Sequence, residues 1–320
     1  MRRIAWLASS TLVCLTLVVP AVGEARPRLA GVFDLSGTPG QLAKGPDGNM
    51  WVTIAGSSES NTLARITPGG NVTEYDPVNL VSPVGVTAGP DGNLWFTRNG
   101  GVVRVDPDDP EGSNQDFDID AIGSPQEIIR GPGGKLWTAS DNQLVSFAPG
   151  DPNGFDAIEI QGTAPSARGI ANSDNKLFVA DFGDKRIVRI APGGGQRTIK
   201  IGGGSPQDVT RGPKGSVAYT NQGTDPHTVG RIPLGAKRAR RTDVPNTDPF
   251  GITFGGDGNW WIANFASHNL TILDRDGDDR RFRGLPDNSG PRRIAKGSGG
   301  TLWVSLEASE QVARIKGVKR

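Results

Sequence analysis

The chain has 320 residues, and its 35 lysines and arginines against 34 aspartates and glutamates leave a net charge of +1 at pH 7. This balance gives no overall field that would favour nucleic acid or a membrane surface as partner. The only cysteine, Cys14, lies in the first 25 residues, so the rest of the chain can form no disulfide, thiolate nucleophile or zinc–sulfur site.

Residues 1–25 have the pattern of a secretory signal peptide: Arg2 and Arg3, an apolar run over 4–20, and small residues that allow cleavage after Gly23 or Ala25. An uncleaved membrane anchor is the alternative, although the run is short for a full span. We therefore predict a signal peptide over 1–25 and a single domain over 26–320. The mature protein is expected to be extracytoplasmic, monomeric and not inserted in a membrane.

A short cassette then returns seven times: a glycine-rich turn, a hydrophobic residue, an aromatic and a β-type run. The copies are GPDGNMWVT from Gly45, GPDGNLWFT from Gly89, GPGGKLWTA from Gly131, NSDNKLFVA from Asn172, GPKGSVAYT from Gly212, GGDGNWWIA from Gly255 and GSGGTLWVS from Gly297. Their starts lie 40 to 44 residues apart. This period predicts an all-β fold, a seven-bladed β-propeller of four-stranded antiparallel blades.

The second repeat shows how one repeat forms one blade. Residues 83–88 are the predicted inner strand, 93–97 the second, 102–106 the third and 116–119 the outer strand. The Gly-Pro-Asp-Gly segment between the first two supplies a tight turn, because Asp-Gly tolerates positive φ. The aromatic of the second strand, Trp95 in this repeat, is expected to fill the wedge between blades rather than to bind sugars. The recurring third-strand arginine, here Arg104, is expected to pair with acids or cap carbonyls between blades.

The last repeat supplies only three strands, over 292–296, 301–305 and 311–316. Residues 29–35, which precede the first blade, have strand character and offer the missing outer strand. We predict that the two ends pair and close the ring, because closure removes two open sheet edges.

Two units, PVGVTAGPDGNLWFTR from Pro83 and PFGITFGGDGNWWIAN from Pro249, are followed by strands with arginine. These units resemble the streptogramin B lyase (virginiamycin B lyase) family, seven-bladed propellers related to NHL-type and gluconolactonase-like propellers. The likeness covers essentially the whole chain after residue 25. It implies the family's reaction, which opens a cyclic depsipeptide at its ester by elimination, with magnesium and a general base.

The family's catalytic histidine follows the proline of a P-H-G-I inner strand, and its glutamate ends a W-F-T-E second strand. The position after the inner-strand proline is here Val84, Gln126, Gln207, Phe250 or Arg292, with Gly40 and Ala167 where the pattern is weaker. Those after the second-strand unit are Ile54, Arg98, Ser140, Asp181, Asn221, Asn264 and Leu306. None is histidine or glutamate, so no catalytic residue is carried over by position.

Inner-strand starts and the loops from second to third strands share one face of a propeller around its channel, and we expect a ligand site there. The predicted ligand-binding residues are Arg98, Gln126, Glu127, Arg168, Asp181, Gln207, Asp208, Asn221, Asn264, Arg292 and Arg293. Glu127, Arg168 and Asp208 could equally form a salt-bridge ring that stabilises the channel mouth.

Two kinds of chemistry are conceivable on this face. Glu127, Asp181 and Asp208 are oxygen donors of the type that Mg²⁺ or Ca²⁺ prefers. His227 and His268, the two histidines, lie in second-to-third-strand loops and could act as general bases, although such residues are often only solvated.

Three functions remain open. The favoured one is binding of a small molecule, peptide or envelope component at the channel mouth. The second is an active metal-dependent lyase or lactone-opening hydrolase. The third is a protein-protein interaction scaffold, which predicts a flat face with an exposed apolar patch.

Overall fold

The structure, a computed structural model, describes residues 26–56, 62–77, 83–119, 122–123, 125–245 and 247–319. They form seven four-stranded antiparallel sheets. Each innermost strand contacts those of the two neighbouring sheets, and the last contacts the first, so the sheets close into a ring. The predicted seven-bladed propeller is confirmed, and the predicted signal peptide lies outside the described residues.

Each blade runs from an inner to an outer strand, and blades are numbered from the first inner strand onward. The inner strands are β2 (Thr38–Lys44), β6 (Val86–Ala88), β10 (Pro125–Arg130), β14 (Ala167–Ser173), β18 (Ser205–Arg211), β22 (Pro249–Phe254) and β26 (Pro291–Lys296). The second strands are β3 (Met50–Ala55), β7 (Leu94–Arg98), β11 (Leu136–Ser140), β15 (Lys176–Asp181), β19 (Val217–Gln222), β23 (Trp260–Asn264) and β27 (Leu302–Leu306). The third strands are β4 (Thr62–Ile66), β8 (Gly101–Val105), β12 (Gln143–Ala148), β16 (Arg186–Ile190), β20 (Thr228–Ile232), β24 (Asn269–Leu273) and β28 (Gln311–Lys316). The outer strands are β5 (Val72–Tyr75), β9 (Gln115–Asp118), β13 (Asp151–Glu159), β17 (Gln196–Ile199), β21 (Arg240–Asp243), β25 (Asp279–Phe282) and β1 (Arg28–Asp34).

Helix is confined, in the described part of the chain, to three 3₁₀ turns over Pro132–Gly134, Pro213–Gly215 and Glu307–Ser309. None of these is long or apolar enough to cross a membrane. We call the face where the inner strands begin the front face, and the face where they end the rear face.

The second-strand aromatics pack between blades, as the sequence predicts. Trp95 is fully buried, stacks on Phe117 of its own outer strand at 5.8 Å and meets Phe147 of blade 3 at 5.3 Å. Its indole N–H bonds Asp91 of the preceding turn at 3.1 Å. The turn thus orients the ring that fills the wedge, so one cassette fixes both the hairpin and the blade contact.

The two ends of the chain close the ring as predicted. Strand β1 pairs antiparallel with β28, so the N-terminal strand becomes the outer strand of blade 7. Phe33 of β1 stacks on Trp303 of β27 at 5.6 Å. Asp34 accepts a hydrogen bond from Gln311 at 2.7 Å. Both backbone pairing and side-chain contacts therefore hold the closure.

Two of the recurring third-strand arginines, Arg231 and Arg314, cap carbonyls between blades, which is one of the two predicted roles. Arg314 of blade 7 donates to the carbonyl of Pro68 in blade 1 at 2.6 Å. Arg231 of blade 5 donates to the carbonyl of Asp274 in blade 6 at 3.2 Å. These guanidinium groups also lie over aromatic rings, Arg314 over Trp303 at 5.4 Å. Repetition of the arginine thus reflects blade packing.

Candidate functional site

Six of the seven inner strands carry a local irregularity near their start, which turns side chains toward the axis. The register with the second strand shifts after the first or second paired residue in six inner strands, β2, β10, β14, β18, β22 and β26. Such bulges redirect side chains out of the regular alternation. The two residues at each shift therefore form two layers around the channel.

The deeper layer alternates polar side chains with glycine. Going round the ring from blade 1 to blade 7, its members are Gln41, Gly85, Glu127, Gly169, Asp208, Gly251 and Arg293. The glycines leave room for their neighbours. A Cβ on Gly169 would lie 2.7 Å from Cα of Asp208, and one on Gly251 would lie 2.6 Å from the carbonyl oxygen of Arg292. We call Gln41, Glu127, Asp208 and Arg293 the axial belt.

The acidic and amide members of the axial belt each reach into the next blade. Oε1 of Gln41 accepts from the backbone N–H of Val86 at 3.0 Å. Oε2 of Glu127 accepts from Ile170, and Oδ2 of Asp208 from Ile252, both at 3.0 Å. Every odd-numbered blade up to the fifth is thus tied to the even-numbered blade after it. The belt is therefore an inter-blade network built of side-chain to backbone bonds.

Burial controls the protonation of the belt. Burial first, and then the nearby Asp208 carboxylate, raise the pKa of Glu127 to about 8, against the opposing charge of Arg293. Burial also raises the pKa of Asp208, whereas Arg293 and backbone N–H groups lower it. Gln41 donates to the other oxygen of Glu127 at 2.9 Å. Two acids that share one arginine thus favour holding a proton.

The shallower layer forms the front mouth, which is rich in arginine and aromatic rings. The guanidinium group of Arg168 lies 3.5 Å from the ring centre of Phe182, and that of Arg292 lies 4.4 Å from the ring centre of Phe250. Arg168 also donates to Gln207 at 2.5 Å. Gln126 occupies the same layer in blade 3. We call Arg168, Arg292 and the two rings beneath them the front mouth.

The two arginines of the front mouth differ in their partners. Arg292 forms an ion pair with Glu307 at 3.0 Å. Arg168 forms no ion pair with any residue that the structure describes, and its pKa is lowered by burial and by the charges of Arg292 and Arg293. Three guanidinium groups therefore lie near the axis: Glu307 pairs with Arg292, Glu127 and Asp208 face Arg293, and Arg168 has no ion-pair partner among the described residues.

A cavity of about 670 Å³ lies between the axial belt and the rear face. Gln41, Glu127, Asp208 and Arg293 line it on the axis side. The inner-strand ends add Arg130, Arg211 and Lys296 to its wall. The belt thus separates a front mouth from a rear cavity along one axis.

The predicted residues at second-strand ends do not line this cavity. Asp181 is fully buried, accepts from Ser166 at 2.9 Å and pairs with Arg186 at 2.8 Å. Asn221 and Asn264, also fully buried, bond third-strand threonines of their own blades. Arg98 pairs with Asp116 and Asp118 of its own outer strand. These four side chains bond within their own blades, at the ends of the second strands.

Both histidines bond the loop that leads into the next inner strand. Nδ1 of His227 contacts the carbonyl of Thr247, and Nδ1 of His268 accepts from the backbone N–H of Gly290 at 3.2 Å. His268 itself has a positive φ of 52°. Each imidazole thus links its own blade to the next one by a hydrogen bond at the front face.

The described residues do not fit a magnesium site of the kind the family resemblance implies. No three acidic or histidine side chains among them converge as a metal-ligand group. Asp181 is engaged with Arg186, while one oxygen each of Glu127 and Asp208 accepts from the next blade. The predicted set Glu127, Asp181 and Asp208 is therefore not brought together.

Gln41, Phe182 and Phe250 belong to the site but were not among the predicted site residues. The alternation of glycine with polar residues two positions after the inner-strand proline is visible in the sequence and is the signal that could have found Gln41. No signal in the sequence marks which aromatic lies under which arginine.

The geometry defines a seven-bladed β-propeller with a polar, arginine-rich channel. Residues 31–146 and 154–318 match the model of the Virginiamycin B lyase family, and the chain belongs to this family. No curated protein shows significant sequence similarity to it.

Solved structures share the fold. A catalytically inactive virginiamycin B lyase from Staphylococcus aureus with quinupristin has a TM-score of 0.80 and 20% identity, over 91% of this chain and 99% of that one. A streptogramin B lyase structure has a TM-score of 0.78 and 19% identity, over 91% and 97%. YCF48 bound to D1 peptide has a TM-score of 0.69 and 12% identity, over 89% and 96%. Identities this low extend the likeness to the fold alone.

Proposed function

We propose that this protein is a secreted, monomeric binding propeller whose front mouth recognises an acidic group of a small molecule, a peptide or an envelope component. The single observation that carries the proposal is the guanidinium group of Arg168. It lies 3.5 Å from the ring centre of Phe182, donates a hydrogen bond to Gln207 and has no carboxylate partner among the described residues. A planar guanidinium fixed in this way is suited to bidentate recognition of a carboxylate.

The surroundings of Arg168 favour an anion for a second reason. Arg292 and Arg293 repel its charge, so a bound carboxylate would relieve the repulsion among these guanidinium groups. The rings of Phe182 and Phe250 add apolar area beside the charged groups. Small-molecule sites commonly combine aromatic walls with a few fixed polar groups. The expected ligand therefore carries an acidic group next to an apolar part.

The test is a calorimetric titration with an N-acetylated tripeptide that has a phenylalanine and a free carboxylate at its C-terminus. The same peptide with a C-terminal amide is the matched control ligand, because it lacks only the carboxylate. We expect the acid to bind and the amide to bind at least tenfold more weakly, since a hydrogen bond to a charged group contributes about 1.5–3 kcal/mol.

Two variants locate the binding. Arg168→Ala is expected to weaken binding of the peptide acid by about tenfold or more. Arg197→Ala removes an arginine from the outer strand of the same blade and is expected to leave binding unchanged. Equal affinity for acid and amide, or full affinity in Arg168→Ala, would contradict the proposal.

Lyase activity is the second candidate, favoured by membership of the Virginiamycin B lyase family and by the quinupristin held by the Staphylococcus aureus relative. Quinupristin is incubated with the protein, with and without Mg²⁺, and followed by liquid chromatography and mass spectrometry. Elimination gives an opened product of unchanged mass, whereas hydrolysis adds one water. A retention shift without a mass change would establish the lyase, and an unchanged substrate would leave binding as the function.

Secretion rests on residues 1–25 and has its own test. Expression of the full chain in a bacterial host followed by N-terminal sequencing of the extracytoplasmic fraction is expected to give a protein that begins after Gly23 or Ala25. Recovery of an uncleaved chain in the cytoplasmic fraction would contradict it.

A further inference from the structure

A second cavity, of about 670 Å³, lies on the rear face where the last blade meets the first. Its walls come from the turns after β2 and β26, from the start of β1 and from the residues around the end of β28. It is thus built at the seam where the ring closes. We call it the seam pocket and define it by its basic residues, which are Arg26, Arg28, Lys44, Arg314, Lys316 and Lys319.

The charge of the seam pocket is one-sided. Six of its lining residues are basic, and no aspartate or glutamate lines it among the described residues. None of the six forms an ion pair with a carboxylate in the part of the chain that the structure describes. Over the whole chain the two signs nearly cancel, so this local excess is a property of the seam and not of the composition.

One of the six charges is buried. Arg314 is only 7% exposed, and burial lowers its pKa. Its terminal nitrogens donate to the carbonyls of Pro68 and Ala30, at 2.6 and 3.2 Å, while Nε has no partner. Buried charges in proteins are normally paired with an opposite charge. The seam therefore holds a buried cation that lacks a counter-charge.

The residues around Arg314 are poised to surround a small anion. Lys44 approaches from blade 1, Lys316 and Lys319 from the end of blade 7, and Arg28 from β1. All five flanking basic side chains, those of Arg26, Arg28, Lys44, Lys316 and Lys319, are exposed and can reorient. The glycine-rich turn Gly297-Ser298-Gly299 forms one wall and allows close approach of a ligand to the backbone. The volume is that of a pocket for an ordinary small molecule.

We propose that the seam pocket binds a small molecule that carries two or more phosphate groups. Phosphate places up to two negative charges and three or more acceptor oxygens on one compact group, which matches several cations converging on one cavity better than single carboxylates do. Guanidinium and ammonium groups are both established phosphate ligands. This site is separate from the front mouth, on the opposite face of the propeller.

Two or more neighbouring phosphate groups occur both in free small molecules and in phosphate polymers. The experiment therefore uses tripolyphosphate and a long-chain polyphosphate as separate probes, each titrated calorimetrically into the purified protein. We expect tripolyphosphate to bind with one site per chain. Binding of the long chain alone would overturn the pocket as a small-molecule site.

Variants locate the site without touching Arg314, whose replacement could disrupt the seam. Lys44→Gln combined with Lys316→Gln is expected to weaken the binding of tripolyphosphate about tenfold or more, because two charge-assisted contacts are lost. Lys185→Gln combined with Lys237→Gln removes the same net charge from exposed positions in blades 4 and 5 and is expected to retain wild-type affinity. Circular dichroism and thermal melting confirm that all variants fold.

A third pair of substitutions tests whether the ligand binds instead in the cavity behind the axial belt. Arg130→Gln combined with Arg211→Gln removes two cations of the axial rear cavity and is expected to leave tripolyphosphate binding intact. No binding by the wild-type protein, equal loss in the Lys185 and Lys237 control, or loss only in the Arg130 and Arg211 variant would each overturn the proposal.

Discussion

Replacement of Glu127 by glutamine tests the axial belt, because it removes a carboxyl group whose pKa folding raises. Burial and the neighbouring Asp208 raise the pKa of Glu127 from 4.5 to about 8. The folded protein therefore holds a proton on Glu127 over a pH range in which the unfolded chain has released it. The contribution of Glu127 to the unfolding free energy is fully present below about pH 4.5 and is lost as the pH rises toward 8.

The size of the effect follows from the change in pKa. One pKa unit corresponds to about 1.4 kcal/mol, so the wild-type protein is expected to lose about 3–5 kcal/mol of unfolding free energy between about pH 5 and about pH 8 through this group. Glutamine stays neutral and keeps an acceptor for the backbone N–H of Ile170. Glu127→Gln is therefore expected to remove the part of the pH dependence that comes from Glu127, while Asp208 retains a dependence of its own because its pKa is also raised.

The assay is urea unfolding followed by tryptophan fluorescence at a series of pH values from about 5 to about 9. Glu159→Gln, at an exposed position of an outer strand, is the matched control and is expected to keep the wild-type slope. Parallel stability curves for the wild type and Glu127→Gln would refute the reasoning, because the belt would then hold an ordinary ionised carboxylate.

Three further predictions concern packing, closure and the channel. Trp95→Ala is expected to lower the unfolding free energy by about 3–5 kcal/mol, measured by urea unfolding, and an unchanged midpoint would argue against the wedge. Phe33→Ala removes the stack on Trp303 and is expected to make the N-terminal strand cleavable by protease; resistance equal to wild type would contradict its role in closure. Gly251→Val is expected to lower the melting temperature, since a Cβ there would lie 2.6 Å from a backbone oxygen, and tolerance would argue against a crowded channel.

The blades could be predicted from sequence because each depends on local chemistry that repeats. The Asp-Gly turn before Trp95 fixes a hairpin by itself, and Gly92 adopts the positive φ of 83° that such a turn needs. The closure by β1 was predictable as well, because the last repeat lacks an outer strand. Strand bounds differ from the predicted ones by a few residues at most, as in β6, which begins at Val86 instead of residue 83.

The site was predictable only in part because its members depend on which way a strand end turns. Glu127 and Asp208 reach the axis at register shifts, whereas Asp181 and Asn221, equally polar and close to strand ends, turn into their own blades. Sequence spacing does not reveal a bulge. The seam pocket was missed for another reason, since Arg28 and Lys316 come together only when the ring closes.

A crystal structure of the protein soaked with the N-acetylated tripeptide acid is the most direct test of recognition at the front mouth. The account predicts electron density for the carboxylate within hydrogen-bond distance of the Arg168 guanidinium group, with the phenylalanine ring of the peptide beside Phe182 or Phe250. A bound peptide whose carboxylate lies away from Arg168 would contradict it.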